Sequence, residues 1–411
     1  MQYNNSEYKW DTLPGGLRII YRYADSDVSY SGFAVNAGTR DEKAGMEGLA
    51  HYVEHMLFKG TGKRRAWHIL NRMECVGGEL NAYTTKEETV IYSVHLEPDL
   101  KRSVELMADL IQDSKFPKEE SDREKEVIID EINSYRDNPA ELIYDEFENL
   151  IFNGHALGHN ILGDTSSLQT ISPEDGKEFI KSHYTPDNMV FFFTGKTPYE
   201  KVLKLVTEHT LYLNSTAESA ERKAPAVYNP FCKTVKSDSY QAHAIIGGRC
   251  YDMFDKRRIP LFLMSNMLAG PGMNSLLNVA LRERRGYVYT VESSSTCYTD
   301  TGVFAIYFGS DHANVNRCFS LIKREFARMR DNKMTSSRLD AAKKQFIGQL
   351  SIGRENRESL ATGAGKNFLH YGKCDTLKES IEKIEEITSS QILEVANEVL
   401  AETQLSSLIF K

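Results

Sequence analysis

The chain has 411 residues, of which 41% are hydrophobic and 26% are charged, a balance typical of soluble globular proteins with two or three domains. The formal net charge of −8 indicates no basic surface, so we expect no nucleic-acid partner. No apolar run approaches the roughly 18 residues that span a bilayer, no signal-peptide pattern opens the chain, and the six scattered cysteines contain no CxxC pair. These features favour a cytoplasmic protein with no membrane span.

The first half of the chain predicts strands interleaved with helices. Its apolar and turn patterns indicate strands in "LRIIYRYA" and "YSGFAVNAG", a helix over about 45–58, a strand or hairpin over 79–96, helices near 98–112, 118–136 and 141–152, a buried strand over 186–196 and a helix over 198–213. The polar stretch that follows, rich in Ser, Ala and Pro, is the best linker candidate.

The second half repeats this order of elements. Strands are predicted in "AHAIIGGRCYD", "YVYTVESSSTCY" and "GVFAIYFGS", with a helix near 258–268 and further helices from 311 to the C-terminus. "HMLFKG" in the first half also matches "NMLAGP" in the second, although the similarity is faint. We therefore predict an α+β fold of two homologous α/β halves, each a mostly antiparallel sheet packed with helices. The predicted N-terminal domain is 1–213, the linker 214–235 and the C-terminal domain 236–411.

The stretch "LAHYVEHMLFKGT" places two histidines and a glutamate within five positions. A helix turns about 100° per residue, so His51, Glu54 and His55 share one flank while the opposite flank is apolar. Two imidazoles at i and i+4 can reach one zinc ion, and a carboxylate that is not a ligand can take a proton from water. A solvated polar face explains the pattern as well, so the metal hypothesis needs a third ligand.

The predicted helix over 118–136 supplies a candidate third ligand. Helical spacing places Glu124 and Glu131 within its apolar stripe, whereas most other acids of this helix fall on the polar side. A carboxylate on a buried face must be paired or bound to a metal. For Glu131 a buried salt bridge with an Arg or Lys is an equally good explanation. Two histidines and one carboxylate would leave one coordination position open, as in catalytic zinc sites.

Taken together, these segments resemble the pitrilysin/insulinase family of zinc metallopeptidases, which carry the inverted zincin motif HxxEH. The similarity is greatest to its short-chain, processing-peptidase-like branch. It rests on "HYVEH", on Glu131 at the family's distance downstream, and on segments along nearly the whole chain: "NAGTRDE", "LFKGT", "GGELNAYTTKEET", "REKEVIIDEI", "HALGHNILG", "HYTPDNMVFFFTGK" and "LRERRGYVYTV".

The resemblance implies one zinc ion per chain, bound by His51, His55 and Glu131, with Glu54 as general base. Glu124 would orient a zinc-binding histidine, with a buried ion pair as the alternative. Phe262, Ser265 and Asn266 stand in the second half where the first half has His51, Glu54 and His55. The second half therefore cannot form this site by itself.

The resemblance also implies how a substrate is held. Peptides of this family lie as an extra strand on a sheet edge of the first half, which matches "LNAYT" here and assigns Asn81 and Ala82 to substrate binding. The two halves would form a clamshell around a chamber. Family members of this length usually need two chains, so we expect a homodimer or a heterodimer with a paralogue.

Two further residues follow from "RERRGYVY" in the second half. The resemblance implies that Tyr289 donates a hydrogen bond to the developing oxyanion and that Arg282 holds the substrate or supports that donor. Arg284 and Arg285 compete with Arg282 for this role.

The sequence thus predicts a zinc metalloendopeptidase that hydrolyses unfolded peptides. The main rival is a non-catalytic partner or scaffold subunit of a peptidase-like heterodimer, which in this family usually has lost motif residues. A structural zinc site in a binding protein is a second rival, but it requires a fourth protein ligand, for which the sequence offers no good candidate.

Overall fold

The computed structural model of the chain describes residues 3–4, 7–213 and 222–411. Strands in the first of its two sheets are β1 Tyr3–Asn4, β2 Tyr8–Thr12, β3 Arg18–Tyr23, β4 Val28–Val35, β5 Glu79–Thr84, β6 Thr89–Leu96 and β7 Met189–Gly195. Strands in the second sheet are β8 Cys232–Val235, β9 Ala242–Cys250, β10 Val288–Cys297, β11 Gly302–Ser310 and β12 Ser406–Phe410.

Helices occupy most of the remaining described chain. They are α1 Leu49–Leu57, α2 Ala66–Glu74, α3 Leu100–Asp113, α4 Lys118–Arg136, α5 Pro139–Ile151, α6 Thr165–Thr170, α7 Pro173–His183, α8 Tyr199–His209, α9 Arg258–Ala269, α10 Val315–Asp331, α11 Ser336–Gly353, α12 Arg357–Tyr371, α13 Leu377–Glu385 and α14 Ser389–Val399, with a π-helix over Asn278–Glu283. Among the described residues, none of these helices combines the length and the apolar character needed to traverse a lipid bilayer.

The first sheet has the strand order β1-β2-β3-β7-β4-β6-β5. Its pairs are antiparallel except β3 with β7. Every residue of β7 is buried, as expected for a central strand covered on both faces. One face packs against a core that contains α1, α3 and α8, and the other packs against α12. Strand β5 ends the sheet directly beside α1.

The second sheet has the order β10-β11-β9-β12-β8, and its pairs are antiparallel except β12 with β8. Strand β11 is buried along its whole length. One face carries a core with α9, α10 and α14, and the other face is covered by α5. Both sheets are therefore mixed but mostly antiparallel and packed with helices, as the sequence predicts.

The two compact units of the chain are each discontinuous in sequence. One contains 1–133, 160–222 and 352–376, and the other contains 134–159, 223–351 and 377–411. The helix that covers the second face of each sheet thus comes from the opposite half of the sequence. Helix α12 covers the first sheet and α5 covers the second. The predicted domains are contiguous and differ from these units at both helices. Residues 214–221 of the predicted linker lie outside the described residues, and its last four form β8.

Predicted and observed elements agree closely near the site. Helix α4 has the predicted bounds, and the segment 79–96 is the hairpin β5–β6. The helix predicted from 45 begins only at Leu49. Gly45 and Gly48 have φ values of 85° and 95°, a left-handed conformation that a right-handed helix cannot contain.

Candidate metal centre

A glycine precedes the first residue of helix α1, and a carboxylate from an earlier loop caps the start of the helix. A Cβ on Gly48, the N-cap residue, would lie 2.7 Å from the carbonyl oxygen of Leu162, so there is no room for a capping side chain. The carboxylate of Glu42 fills this role by accepting hydrogen bonds from the backbone N–H groups of Gly48 at 3.1 Å and Ala50 at 2.7 Å. It thereby satisfies donors at the helix start that would otherwise lack partners. The helix is held in place immediately before His51.

Three side chains from α1 and α4 could hold a metal ion together. Ligand atoms of His51, His55 and Glu131 all lie within 4.8 Å of one another. One carboxylate oxygen of Glu131 is 3.8 Å from Nε2 of His51 and 3.7 Å from Nε2 of His55. Tetrahedral ligands bound to zinc at about 2.0–2.1 Å are about 3.4 Å apart. The three donors therefore fit a zinc ion after small side-chain rotations.

The electronic state of His51 suits a metal ligand. Burial, together with the neighbouring His55, lowers the pKa of His51 to about 3. Its imidazole is consequently neutral at neutral pH, which is the form that binds a metal. The Nδ1 atom of His51 is buried and has no hydrogen-bond partner among the described residues. The Nε2 side of the ring is the side that faces Glu131.

Glu124 is buried between a histidine and a lysine. One carboxylate oxygen lies 3.0 Å from Nδ1 of His55, and the other lies 2.5 Å from Nζ of Lys59. A carboxylate accepts hydrogen bonds, so Nδ1 of His55 carries its proton and Nε2 keeps a lone pair towards Glu131. The sequence left two alternatives for Glu124, contact with a histidine or a buried ion pair, and in the structure it makes both contacts.

Glu54 lies on α1 between the two histidines and receives a hydrogen bond from the end of β5. Thr84 Oγ1 donates to a Glu54 carboxylate oxygen at 2.6 Å. Burial raises the pKa of Glu54 above its ordinary value of 4.5, although the Thr84 hydrogen bond opposes that shift. A carboxylate whose pKa is raised in this way can exchange a proton more readily near neutral pH.

The expectation that Glu131 lies on a buried stripe is wrong. Its side chain is 46% exposed, and Val127, one turn earlier, is also exposed. The buried residues of α4 are Ser121, Glu124, Ile128 and Ile132. The buried stripe of α4 is therefore narrower than the helical periodicity suggests, and Glu131 lies outside it with its side chain accessible to water.

The predicted substrate-binding residues lie on the strand that ends the first sheet. Asn81 is exposed, whereas Ala82 is half-buried and packs against the core that contains α1. Side chains alternate along a strand, so Ala82 and Thr84 face α1 while Asn81 faces away. The outer edge of β5 pairs with no other strand of the described sheet. The role of Asn81 and Ala82 in binding a substrate stays a prediction.

The predicted arginine and tyrosine belong to the second unit. Arg282 lies in the π-helix and Tyr289 in β10, and both side chains are exposed. Of the two competing arginines, Arg285 donates a hydrogen bond to the backbone carbonyl of Ala280 at 2.7 Å, within its own turn. Contact of any of these side chains with the metal centre stays a prediction.

Sequence reasoning missed three residues that contact this centre. They are Glu42, which caps α1, Lys59, which pairs with Glu124, and Thr84, which binds Glu54. Lys59 follows His55 by one helical turn, and Thr84 ends the predicted edge strand, so both lay within segments of interest. Local periodicity, however, does not predict which side chain from a distant segment each of these residues contacts.

The fold and the site define a two-sheet α+β protein with a candidate metal centre of two histidines and one carboxylate. The family model "Insulinase (Peptidase family M16)" matches residues 18–165, and the model "Peptidase M16 inactive domain" matches residues 170–346. The chain belongs to the M16, or insulinase, family of peptidases. The second model covers the half in which Phe262, Ser265 and Asn266 replace the motif residues.

Individual relatives extend over almost the whole chain. An uncharacterized zinc protease of Streptomyces coelicolor is 30% identical over 97% of this chain and 88% of its own. One from Rickettsia bellii is 31% identical over 97% of this chain and 96% of its own. Among solved structures, a peptidase M16 inactive domain from Pseudomonas fluorescens matches with a TM-score of 0.91 at 19% identity, covering 98% of this chain and 97% of that one. A protease from Helicobacter pylori matches with a TM-score of 0.90 at 22% identity over 98% and 99% of the two chains. The last two similarities support the fold alone.

Proposed function

We propose that this chain is a zinc-dependent endopeptidase that hydrolyses unfolded peptides. The observation that carries this proposal is the proximity of the ligand atoms of His51, His55 and Glu131, with Glu54 on the same helix as the two histidines. The names of the relatives, which include zinc proteases, support the choice of metal and of reaction. Retention of all four side chains argues against the alternative of a non-catalytic scaffold subunit.

In this proposal each side chain of the centre has a separate role in the reaction. A zinc ion held by His51, His55 and Glu131 would supply a Lewis acid that polarises the scissile carbonyl and acidifies water. Glu54 accepts a proton from the attacking water and later delivers it to the amine that leaves, for which its raised pKa is suited. Glu124 keeps the proton of His55 on Nδ1, which leaves the lone pair of Nε2 available to bind a metal.

The substrate would add to the open edge of β5 as a further strand. Main-chain hydrogen bonds to the backbone near Asn81 and Ala82 would hold an extended peptide beside α1 with little dependence on its sequence. A folded domain cannot offer an isolated extended strand, which is why we propose unfolded peptides as substrates. Tyr289 would donate to the oxyanion and Arg282 would hold the substrate backbone.

The quaternary arrangement and the cellular compartment also belong to this proposal. We expect the two halves to enclose a chamber, and we expect a homodimer or a heterodimer with a paralogue. The cytoplasm is the proposed location. These expectations rest on family resemblance and composition rather than on contacts within the chain.

Replacement of Glu54 by Gln tests the reaction. The variant should keep its zinc, because Glu54 is not a ligand, and should lose peptide cleavage by about 100-fold to 10,000-fold, the range for loss of a general base. Glu47→Gln is the matched control, because Glu47 lies in the same segment and its carboxylate accepts a hydrogen bond from the backbone N–H of Gly45 at 3.1 Å. Equal cleavage by wild type and Glu54→Gln would favour the scaffold alternative.

The proposed substrate class is tested separately. The purified protein should cleave an unstructured peptide of a few tens of residues but leave a stable folded domain intact. Efficient digestion of the folded domain, with no prior unfolding, would contradict binding as an added strand.

A further inference from the structure

Lys59 lies just beyond the end of α1, where its ammonium group reaches the centre. Helix α1 ends at Leu57, and the backbone N–H of Lys59 still bonds to the carbonyl of Met56 at 3.1 Å. Its Nζ lies 2.5 Å from the Glu124 oxygen that does not face His55. The side chain of Lys59 is 25% exposed and that of Glu124 only 9%. This is a largely enclosed ion pair rather than a solvated surface contact.

Both oxygens of Glu124 are thereby occupied by different partners. One binds the ammonium group of Lys59 and the other binds Nδ1 of His55. A carboxylate with a partner on each oxygen cannot rotate freely about the bond that joins it to the rest of the side chain. Without Lys59, the buried charge of Glu124 would lack its compensating cation, which is costly in a site of this kind. The carboxylate could then turn away from Nδ1 of His55 towards water.

We propose that Lys59 is a positioning residue of the metal centre. It holds Glu124 in place, and Glu124 in turn fixes the proton and the ring orientation of His55. This inference rests on the proposed function, since it concerns the same zinc site. It assigns a task to a residue outside the HxxEH motif and outside the three ligands.

An ordinary surface ion pair is the competing explanation, and the next lysine in the chain provides the comparison. Lys63 lies 3.7 Å from Asp109 and its side chain is 75% exposed, so its pair should contribute little. Lys59 differs in both distance and exposure, and its partner touches a metal-binding histidine. Removal of either lysine changes the net charge of the protein equally, which makes Lys63 a matched control.

The charge of Lys59 would also act directly on a bound cation. An ammonium group near the centre repels a divalent cation, so its removal alone favours zinc binding. Loss of the positioning contact has the opposite effect. The two contributions separate in a double-mutant cycle, because the direct repulsion is present whether or not residue 124 carries a carboxylate, whereas the positioning effect requires the carboxylate.

The experiment is therefore a zinc-affinity cycle on the full chain, measured by competition with a chromophoric chelator. The variants are Lys59→Met, Glu124→Gln and the double substitution, with Lys63→Met in both the wild-type and the Glu124→Gln backgrounds as control. In the wild-type background, Lys59→Met should weaken zinc binding by about 10-fold to 100-fold more than it does in the Glu124→Gln background. Lys63→Met should show no such difference. Equal effects of Lys59→Met in both backgrounds would overturn the proposal.

A second measurement determines the tautomer of the His55 ring in the metal-free protein. In the metal-free protein, ¹⁵N resonances of His55 should show the proton on Nδ1, and Lys59→Met should shift the ring towards a mixture of the two tautomers. An unchanged tautomer in a folded variant would contradict the role of Lys59. If Lys59→Met does not fold, Lys59→Gln carries the same test. Failure of the wild-type chain to bind zinc at all would instead refute the proposed function, so the two failures are distinguishable.

Discussion

The hydroxyl group of Thr84 donates a hydrogen bond of 2.6 Å to the carboxylate of Glu54. Thr84 is the last residue of β5, the strand that ends the first sheet, and Glu54 lies on α1. The strand proposed to bind the substrate therefore also holds the proposed general base. A peptide that pairs with β5 would therefore lie at a fixed position relative to the carboxylate of Glu54.

Replacement of Thr84 by Val should move the acidic limb of the pH–activity profile to higher pH. The ionised form of Glu54 accepts the proton, so kcat/KM falls as the pH drops through the pKa of this group. Burial raises that pKa and the Thr84 hydrogen bond lowers it, so loss of the bond raises it further. A pH profile of kcat/KM for both proteins checks this. An acidic limb that stays in place in Thr84→Val would contradict the assignment of Glu54 as the base.

A buried hydrogen bond joins the two helices that carry the proposed metal ligands. The Tyr52 hydroxyl group lies 2.6 Å from Ser121 Oγ, and both residues are buried. Tyr52→Phe leaves the Ser121 hydroxyl group without this partner, which should lower the free energy of unfolding by about 1–3 kcal/mol. Because replacement of both groups leaves no such orphan, the double variant Tyr52→Phe/Ser121→Ala should cost less than the sum of the single ones. Urea denaturation measures all three, and strict additivity would mean that the bond contributes nothing.

Zinc should stabilise the folded chain. A ligand that binds only the folded state at a concentration of about 100 times its Kd adds about 2.7 kcal/mol to the free energy of unfolding. Thermal denaturation should therefore show a higher Tm with zinc, reversed by a chelator. Glu131→Gln should reduce this shift, whereas Glu126→Gln, at an exposed position of the same helix, should preserve it. An equal shift in both variants would exclude Glu131 as a ligand.

Two glycines of α12 should respond oppositely to Ala. A Cβ on Gly365 would lie 2.5 Å from the ring of Phe192 in β7, whereas a Cβ on Gly363 would meet nothing within 4 Å. Gly365→Ala should lower the free energy of unfolding by about 1–3 kcal/mol through overpacking. Gly363→Ala should raise it by up to about 1 kcal/mol through helix propensity. Chemical denaturation compares them, and similar effects at both positions would contradict the packing of α12 on β7.

Local periodicity accounts for much of the centre. The i and i+4 spacing on one helix predicts that two imidazoles are neighbours, and the ring centroids of His51 and His55 are 4.6 Å apart. Helical spacing also predicts that Glu124 is buried, and its side chain is only 9% exposed. The bounds of α4 follow from the same pattern. These features depend on residues a few positions apart, whose relative geometry a regular helix determines.

The sequence by itself therefore determined the HxxEH helix, the helix that carries the third donor, and the two-sheet architecture. Only the tertiary structure decided that Lys59 pairs with Glu124, that Thr84 binds Glu54, and that Glu131 is half exposed. Only the tertiary structure likewise decided that α5 packs on the second sheet and α12 on the first. The physical reason is that periodicity fixes which face of an element is apolar, whereas the partner of that face depends on contacts between segments far apart in the chain.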